Sequence, residues 1–200
     1  MVGTASSNYQ ADFLGAQLHA WSDLQADSQR PPRAPGVYGW YFRTAPPAVP
    51  CQGCVTRDGF TLLYVGISPG RSVSAENLRS RIRYHFGGNA EGSTLRLTLG
   101  CLLEPVLPTV LRRVGSGKRL TFGSAEGRLT ERIAENARVC WLVTEKPRQL
   151  ESVLIGTLVL PLNLDQNKHG FCATLRRIRQ DARSRARALP VEMPSTSDIR

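Results

Sequence analysis

The sequence predicts an α/β chain of the α+β kind, and three observations carry that prediction. Two runs, Gly36 to Phe42 and Leu62 to Ile67, are rich in β-branched and aromatic residues, as strands are. A third, Val139 to Thr144, reads as a buried strand. The segments around these runs carry apolar residues at helical spacing, so strands and helices share one chain. With 200 residues and 41% hydrophobic content, one compact domain with extra segments can bury a full core.

In residues 10–28, Phe13, Leu14, Gln17, Leu18, Trp21 and Leu24 recur at helical spacing, which predicts a leading amphipathic helix ending before Pro31-Pro32. Between the first two strands, Thr44 to Pro50 contains Pro46, Pro47 and Pro50, lacks ladder donors, and reads as an extended loop. Those strands therefore form an antiparallel pair with a long connection. Ala75 to Phe86 is a helix stopped by Gly87-Gly88. Leu95 to Leu111 is a helix followed by an irregular turn, because Pro105 and Pro108 interrupt it. Ser124 to Ala137 is helical, with Leu129, Ile133 and Ala137 on one stripe. Pro147 suits a first helical position, and that helix runs to about Leu160, before Pro161. Phe171 to Leu189 predicts a final basic helix and Pro190 to Arg200 a frayed tail. The expected organisation is an N-terminal helical extension over 1–33, a central domain over 34–167, and a basic C-terminal helix and tail over 168–200.

A net charge of +10 favours a polyanionic partner, nucleic acid before an anionic membrane surface. No stretch reaches the ~20 apolar residues of a membrane span, and residues 1–30 lack a basic start followed by an apolar run, so a soluble, cytoplasmic chain with no membrane partner is expected. The five cysteines suit reduced thiols better than a disulfide framework. Cys51 and Cys54 have the spacing of a zinc half-site, but a structural site needs four ligands and no second close pair exists. The other reading is two thiols in a Pro-rich loop.

Glu151 falls between Ile155 and Leu158 on the apolar arc of its helix. A carboxylate leaving water needs a cation or strong donors, so a metal ion or an arginine is expected beside it. Alternatively it lies in the first turn, favoured by the helix dipole and reached by water. Arg81 and His85, four apart, share one helical face, with Leu78, Ile82 and Phe86 on the neighbouring stripe. Arg79 and Arg83 flank Arg81, and a solvated face explains all three equally well. Tyr38 and Tyr64 taken singly are ordinary strand aromatics.

Taken together, Gly36-Val37-Tyr38, Tyr64-Val65-Gly66, Arg81, His85, Glu151 and Asn163 resemble in order and spacing the catalytic core of the GIY-YIG endonucleases, over about residues 35–165. Three departures stand out: valine for isoleucine in both tripeptides, a longer connection between them, and Ile67 where many members place lysine. The resemblance implies a small three-stranded antiparallel sheet flanked by helices, here with extra N- and C-terminal helices. It also implies metal-dependent phosphodiester hydrolysis, with double-stranded DNA the first expectation and RNA open. By the same resemblance, Glu151 holds one Mg²⁺, with Mn²⁺ as a substitute, and Arg81 stabilises phosphoryl charge. Tyr38 is then the general base, Tyr64 orients water or phosphate, and Asn163 belongs to the site. His85, with an ordinary pKa near 6.5, is the chemically easier base, and both assignments stay open. Oligomeric state stays open too, a dimer being one way to bring two active sites to two strands.

The last helix carries Arg176, Arg177, Arg179, Arg183, Arg185 and Arg187, either a phosphate-binding face or a solvated one. Two further function classes stand beside hydrolysis. One is a basic nucleic-acid-binding module on the same fold without catalysis. The other is a zinc-stapled interaction protein.

Overall fold

The computed structural model describes residues 3–70 and 75–192. At its centre β1 (Gly36–Phe42) lies between β3 (Phe60–Ser68) and β6 (Ala137–Val143), antiparallel to both. The expected three-stranded sheet gains a short fourth strand, β2 (Thr56–Arg57), giving the order β2-β3-β1-β6. Asp58 and Gly59, both at positive φ, make the tight turn from β2 into β3. A two-residue Asp-Gly turn is a strong hairpin signal, and it adds a hairpin to the long connection whose Thr44 to Pro50 part reads as an extended loop.

Alternation along β1 sorts its side chains to two cores. Tyr38, Trp40 and Phe42 enter one, and Val37 and Tyr41 the other. On the first face pack α3 (Leu78–Gly87), α4 (Thr94–Leu103), α5 (Ala125–Asn136) and α7 (Phe171–Ala188). Buried Phe13 of α1 (Gly3–Gly15) and Leu150, Leu154 and Ile155 of α6 (Pro147–Thr157) cover the second. Helix α3 begins at Leu78 rather than near 75, because the Asn77 side chain accepts a hydrogen bond from the Ser80 amide and caps the helix there. Helix α6 ends at Thr157, so Leu158 lies just past it.

The leading helix is not continuous. After α1 the chain runs extended, and a second helix, α2, follows at Trp21–Ala26. The extended stretch pairs His19 with Val139 through two backbone hydrogen bonds of 2.9 and 3.0 Å, and the His19 ring stacks on Trp141 at 4.3 Å. The outer edge of β6 would otherwise lack partners, and satisfying it outweighs helical periodicity. Another unexpected element is a hairpin of β4 (Arg112–Val114) and β5 (Arg119–Thr121). The end of the chain is not frayed throughout, since the Glu192 amide donates to the Arg113 carbonyl at 2.7 Å. The rest of the expected tail, from 193, lies outside the described residues.

Candidate active site

Strand register brings the two tripeptides together, Tyr38 facing Gly66 and Trp40 facing Tyr64. The Tyr38 ring lies across Gly66 so closely that a Cβ there would sit 2.5 Å from the hydroxyl. Helix α3 then delivers His85 and Arg81 to this hydroxyl. His85 Nε2 lies 2.8 Å from it, and Arg81 Nε donates to it at 3.4 Å. His85 Nδ1 is 2.7 Å from the Ser93 hydroxyl, and that oxygen also accepts the Arg96 amide to cap α4. The result is a buried chain running Arg81, Tyr38, His85, Ser93.

Burial shapes the acidity of this chain. Tyr38 is 1% exposed and its pKa is driven well above the ordinary phenol value, by desolvation first and the neighbouring Tyr64 second. His85 is fully enclosed, and burial, then the charges of Arg81 and Arg96, push its pKa well below 6.5. The imidazole is therefore neutral at neutral pH.

Arg81 commits its Nη1 to the Gly92 carbonyl at 2.9 Å and to Glu76 at 3.5 Å. Its neighbours are not a solvated face. Arg83 donates to the carbonyls of Leu24, Asp27 and Arg30, and Arg79 to those of Pro31 and Gln29. These two arginines tie the N-terminal segment to α3.

A cleft of about 720 Å³ opens beside this chain, between α6, α7 and the start of α4. Tyr64 lines it and also lies edge-on to His85 at 6.5 Å between ring centroids, so it belongs to both groups. Burial raises the Tyr64 pKa, with Thr94 and Arg81 acting the other way. Glu151 lines the same cleft, half-buried. It sits past the first turn of α6, so a dipole-favoured first-turn acid is not the explanation. Desolvation lifts its pKa to about 7, Arg148 one turn earlier counteracts this, and Asp165 adds to it. Among the described residues the carboxylate has no hydrogen bond or ion pair. Of the expected metal ion or arginine, Arg148 lines the same cleft and acts on Glu151 without forming an ion pair with it.

Asn163 also borders the cleft, but both ends of its amide are engaged. The Val65 amide donates to its oxygen at 2.9 Å, and its nitrogen donates to the Val65 carbonyl at 2.8 Å. It completes the outer edge of β3 where no strand continues.

Sequence reading missed Ser93, Arg148 and Asp165. Arg148 was signalled by its i, i+3 relation to Glu151, and Ser93 by its place at the start of a helical run. Ser93 and Asp165 meet the site only through tertiary packing. Ile67 lines the cleft as an apolar wall. The thiols of Cys51 and Cys54 donate to the Val49 and Pro50 carbonyls, and among the described residues no group of three or more His, Cys, Asp or Glu converges as metal ligands.

The model of the GIY-YIG catalytic domain family matches residues 36–181. The chain belongs to that family. No curated protein and no solved structure matches it. Members of the GIY-YIG family are nucleases and typically use divalent metal ions, so this domain takes nucleic acid as its substrate class. The mixed α/β fold around a small antiparallel sheet is the family's own. Among the described residues, no helix is long and apolar enough to cross a membrane.

Proposed function

We propose that this GIY-YIG protein is a divalent-metal-dependent endonuclease of the cytoplasm that cuts double-stranded DNA by a one-metal mechanism, with residues 34–167 as the catalytic domain. The observation that carries this reading is Glu151, a half-buried carboxylate with no hydrogen bond or ion pair among the described residues, sharing an arginine-lined cleft with Tyr64. Fit to a metal rests on the donor chemistry. Glu151, with Asp165 the second carboxylate of the cleft, offers hard oxygen donors and leaves most coordination positions to water and phosphate, which suits Mg²⁺ and Mn²⁺ and does not suit zinc. When bound, such an ion supplies charge neutralisation at the scissile phosphate and the leaving oxygen.

The chain's own residues supply the rest. Tyr38 receives a proton from the attacking water, and its hydroxyl proton passes across the 2.8 Å contact to neutral His85. A buried phenol with a raised pKa is a poor base alone; the neutral imidazole beside it, itself weakened by burial and two arginines, gives the displaced proton a place to go. Arg81 stabilises the tyrosinate through Nε and offers its remaining nitrogen to phosphoryl charge. Tyr64, at the cleft wall, orients the water or the phosphate. Asn163 acts through the backbone, holding Val65 and thereby Tyr64 at the edge of the sheet.

Supercoiled plasmid incubated with purified protein, with and without Mg²⁺ or Mn²⁺, tests the reading. Metal-dependent nicking by the wild type, lost in Glu151→Gln, is the expected result. Intact plasmid under all conditions, together with DNA binding, would establish the binding-module alternative.

A further inference from the structure

We infer that Arg179, with Arg183 one turn further along α7, holds the phosphodiester backbone of a nucleic-acid strand in the cleft that contains Glu151 and Tyr64. This deepens the nuclease reading above and rests on it. The cleft is lined by Arg148, Arg176, Arg179, Arg183 and Arg187 against two carboxylates, Glu151 and Asp165, so its wall is net cationic. Arg176, Arg179, Arg183 and Arg187 follow i, i+3, i+7, i+11 spacing and present one face of α7. Leu175, Ala182 and Ala186 on other faces are buried and anchor the helix. From Arg176 to Arg187 the face is about 16 Å long, enough to follow roughly five nucleotides of one strand.

Among the arginines whose Nε is buried without a partner, Arg179 differs in how its other donors are used. Among the described residues, four arginines have a buried Nε without a partner: Arg83, Arg112, Arg113 and Arg179. Three of them place a terminal nitrogen on a backbone carbonyl: Arg83 on Leu24, Arg112 on Pro190, and Arg113 on Leu189. Among the described residues, Arg179 makes no hydrogen bond or ion pair at all, although it is half-buried in the cleft wall. Deeply placed Arg96, by contrast, is held by Glu126, the Phe86 carbonyl and Thr130. A buried guanidinium Nε without a partner is costly to keep unless a ligand completes the group. The planar fork matches phosphate oxygens, and nearby Tyr64 and Glu151 put that phosphate next to the reacting groups.

The test measures binding in EDTA, so that nothing is cut, with fluorescein-labelled duplex DNA, single-stranded DNA and RNA of one length over a range of salt. For whichever probe binds best, Arg179→Ala and Arg183→Ala should each flatten the plot of log affinity against log salt by about one. Arg177→Ala removes the same charge from the same helix outside the cleft lining and should leave the slope at the wild-type value. Arg179→Lys should keep the slope, and Arg179→Gln, which retains most of the packing, should lose it as the alanine variant does. Equal slopes for the Arg179 and Arg177 variants would overturn the inference, as would polyglutamate competing as well as DNA. Plasmid nicking in Mg²⁺ separates the two readings. A wild type that nicks while Arg179→Gln binds unchanged sinks this inference alone, and the expected slopes without nicking sink the nuclease reading alone.

Discussion

The hydroxyl end of the Tyr38 ring packs against Gly66 on the neighbouring strand, its oxygen 2.5 Å from the point a Cβ would occupy. This packing ties the two tripeptides into one unit. Glycine is needed in the second because the tyrosine of the first fills the space a side chain would take.

Gly66→Ala therefore displaces Tyr38 from its contact with His85. Other ring atoms lie 2.7 and 3.0 Å from the new methyl, so rotating the hydroxyl does not relieve the clash. Overpacking at such a site costs about 1–3 kcal/mol, which urea unfolding would measure. Cleavage should fall more than stability accounts for, because the His85 contact is lost even in the folded fraction. Full activity with unchanged stability would show that the ring is not held there.

Much of this site was legible in the sequence, and the reason is local. Arg81 and His85 are four residues apart on one helix, and the tripeptides sit on strands whose pairing follows from their pattern. The break between α1 and α2 was not legible, because periodicity in 10–28 is helical and only the open edge of β6, more than a hundred residues away, overrules it. The roles of Arg79 and Arg83 were hidden for the same reason. Their acceptors are carbonyls of an irregular segment that carries no side-chain signature. Asn163 was found by its position, but its pairing with Val65 depends on a sheet edge that only the fold creates.

Asn163→Ala leaves the buried amide and carbonyl of Val65 without partners. Two lost hydrogen bonds with their desolvation cost predict about 2–4 kcal/mol of destabilisation, read from the urea midpoint. Asn163→Asp keeps an acceptor for the Val65 amide and sets a second oxygen against the Val65 carbonyl, so it should rescue little. A stable Asn163→Ala protein would remove the edge-clamp role.

Tyr38 and His85 should behave as one catalytic unit, since a single 2.8 Å contact joins them. Tyr38→Phe and His85→Ala are each expected to lower plasmid nicking about a hundredfold or more, and the double variant should be no slower than the worse single one. Rates measured across pH add a second readout: the rise that Glu151 ionisation imposes should persist in both variants, and any further rising limb should disappear in the variant that lacks the proton acceptor. Multiplicative losses in the double variant would mean that the two residues act separately.

Glu151 gives the sharpest pH dependence. Burial raises its carboxyl pKa from 4.5 to about 7, so the folded protein binds a proton there that the unfolded chain has released. Between these two values stability must fall as pH rises, because the native state is increasingly forced to keep a desolvated charge. In metal-free buffer, Glu151→Gln should therefore match the wild type near pH 4.5 and exceed it above pH 7. The gain should be on the order of 1–2 kcal/mol once solvent screening of a half-buried group is allowed for. Metal binding requires the ionised form, so Mg²⁺-dependent cleavage by the wild type should climb through the same window in which metal-free stability declines. Thermal melts with EDTA and with Mg²⁺, run beside nicking rates, read both trends, and a Glu151→Gln protein that melts with the wild type at every pH would show that the carboxylate is not confined.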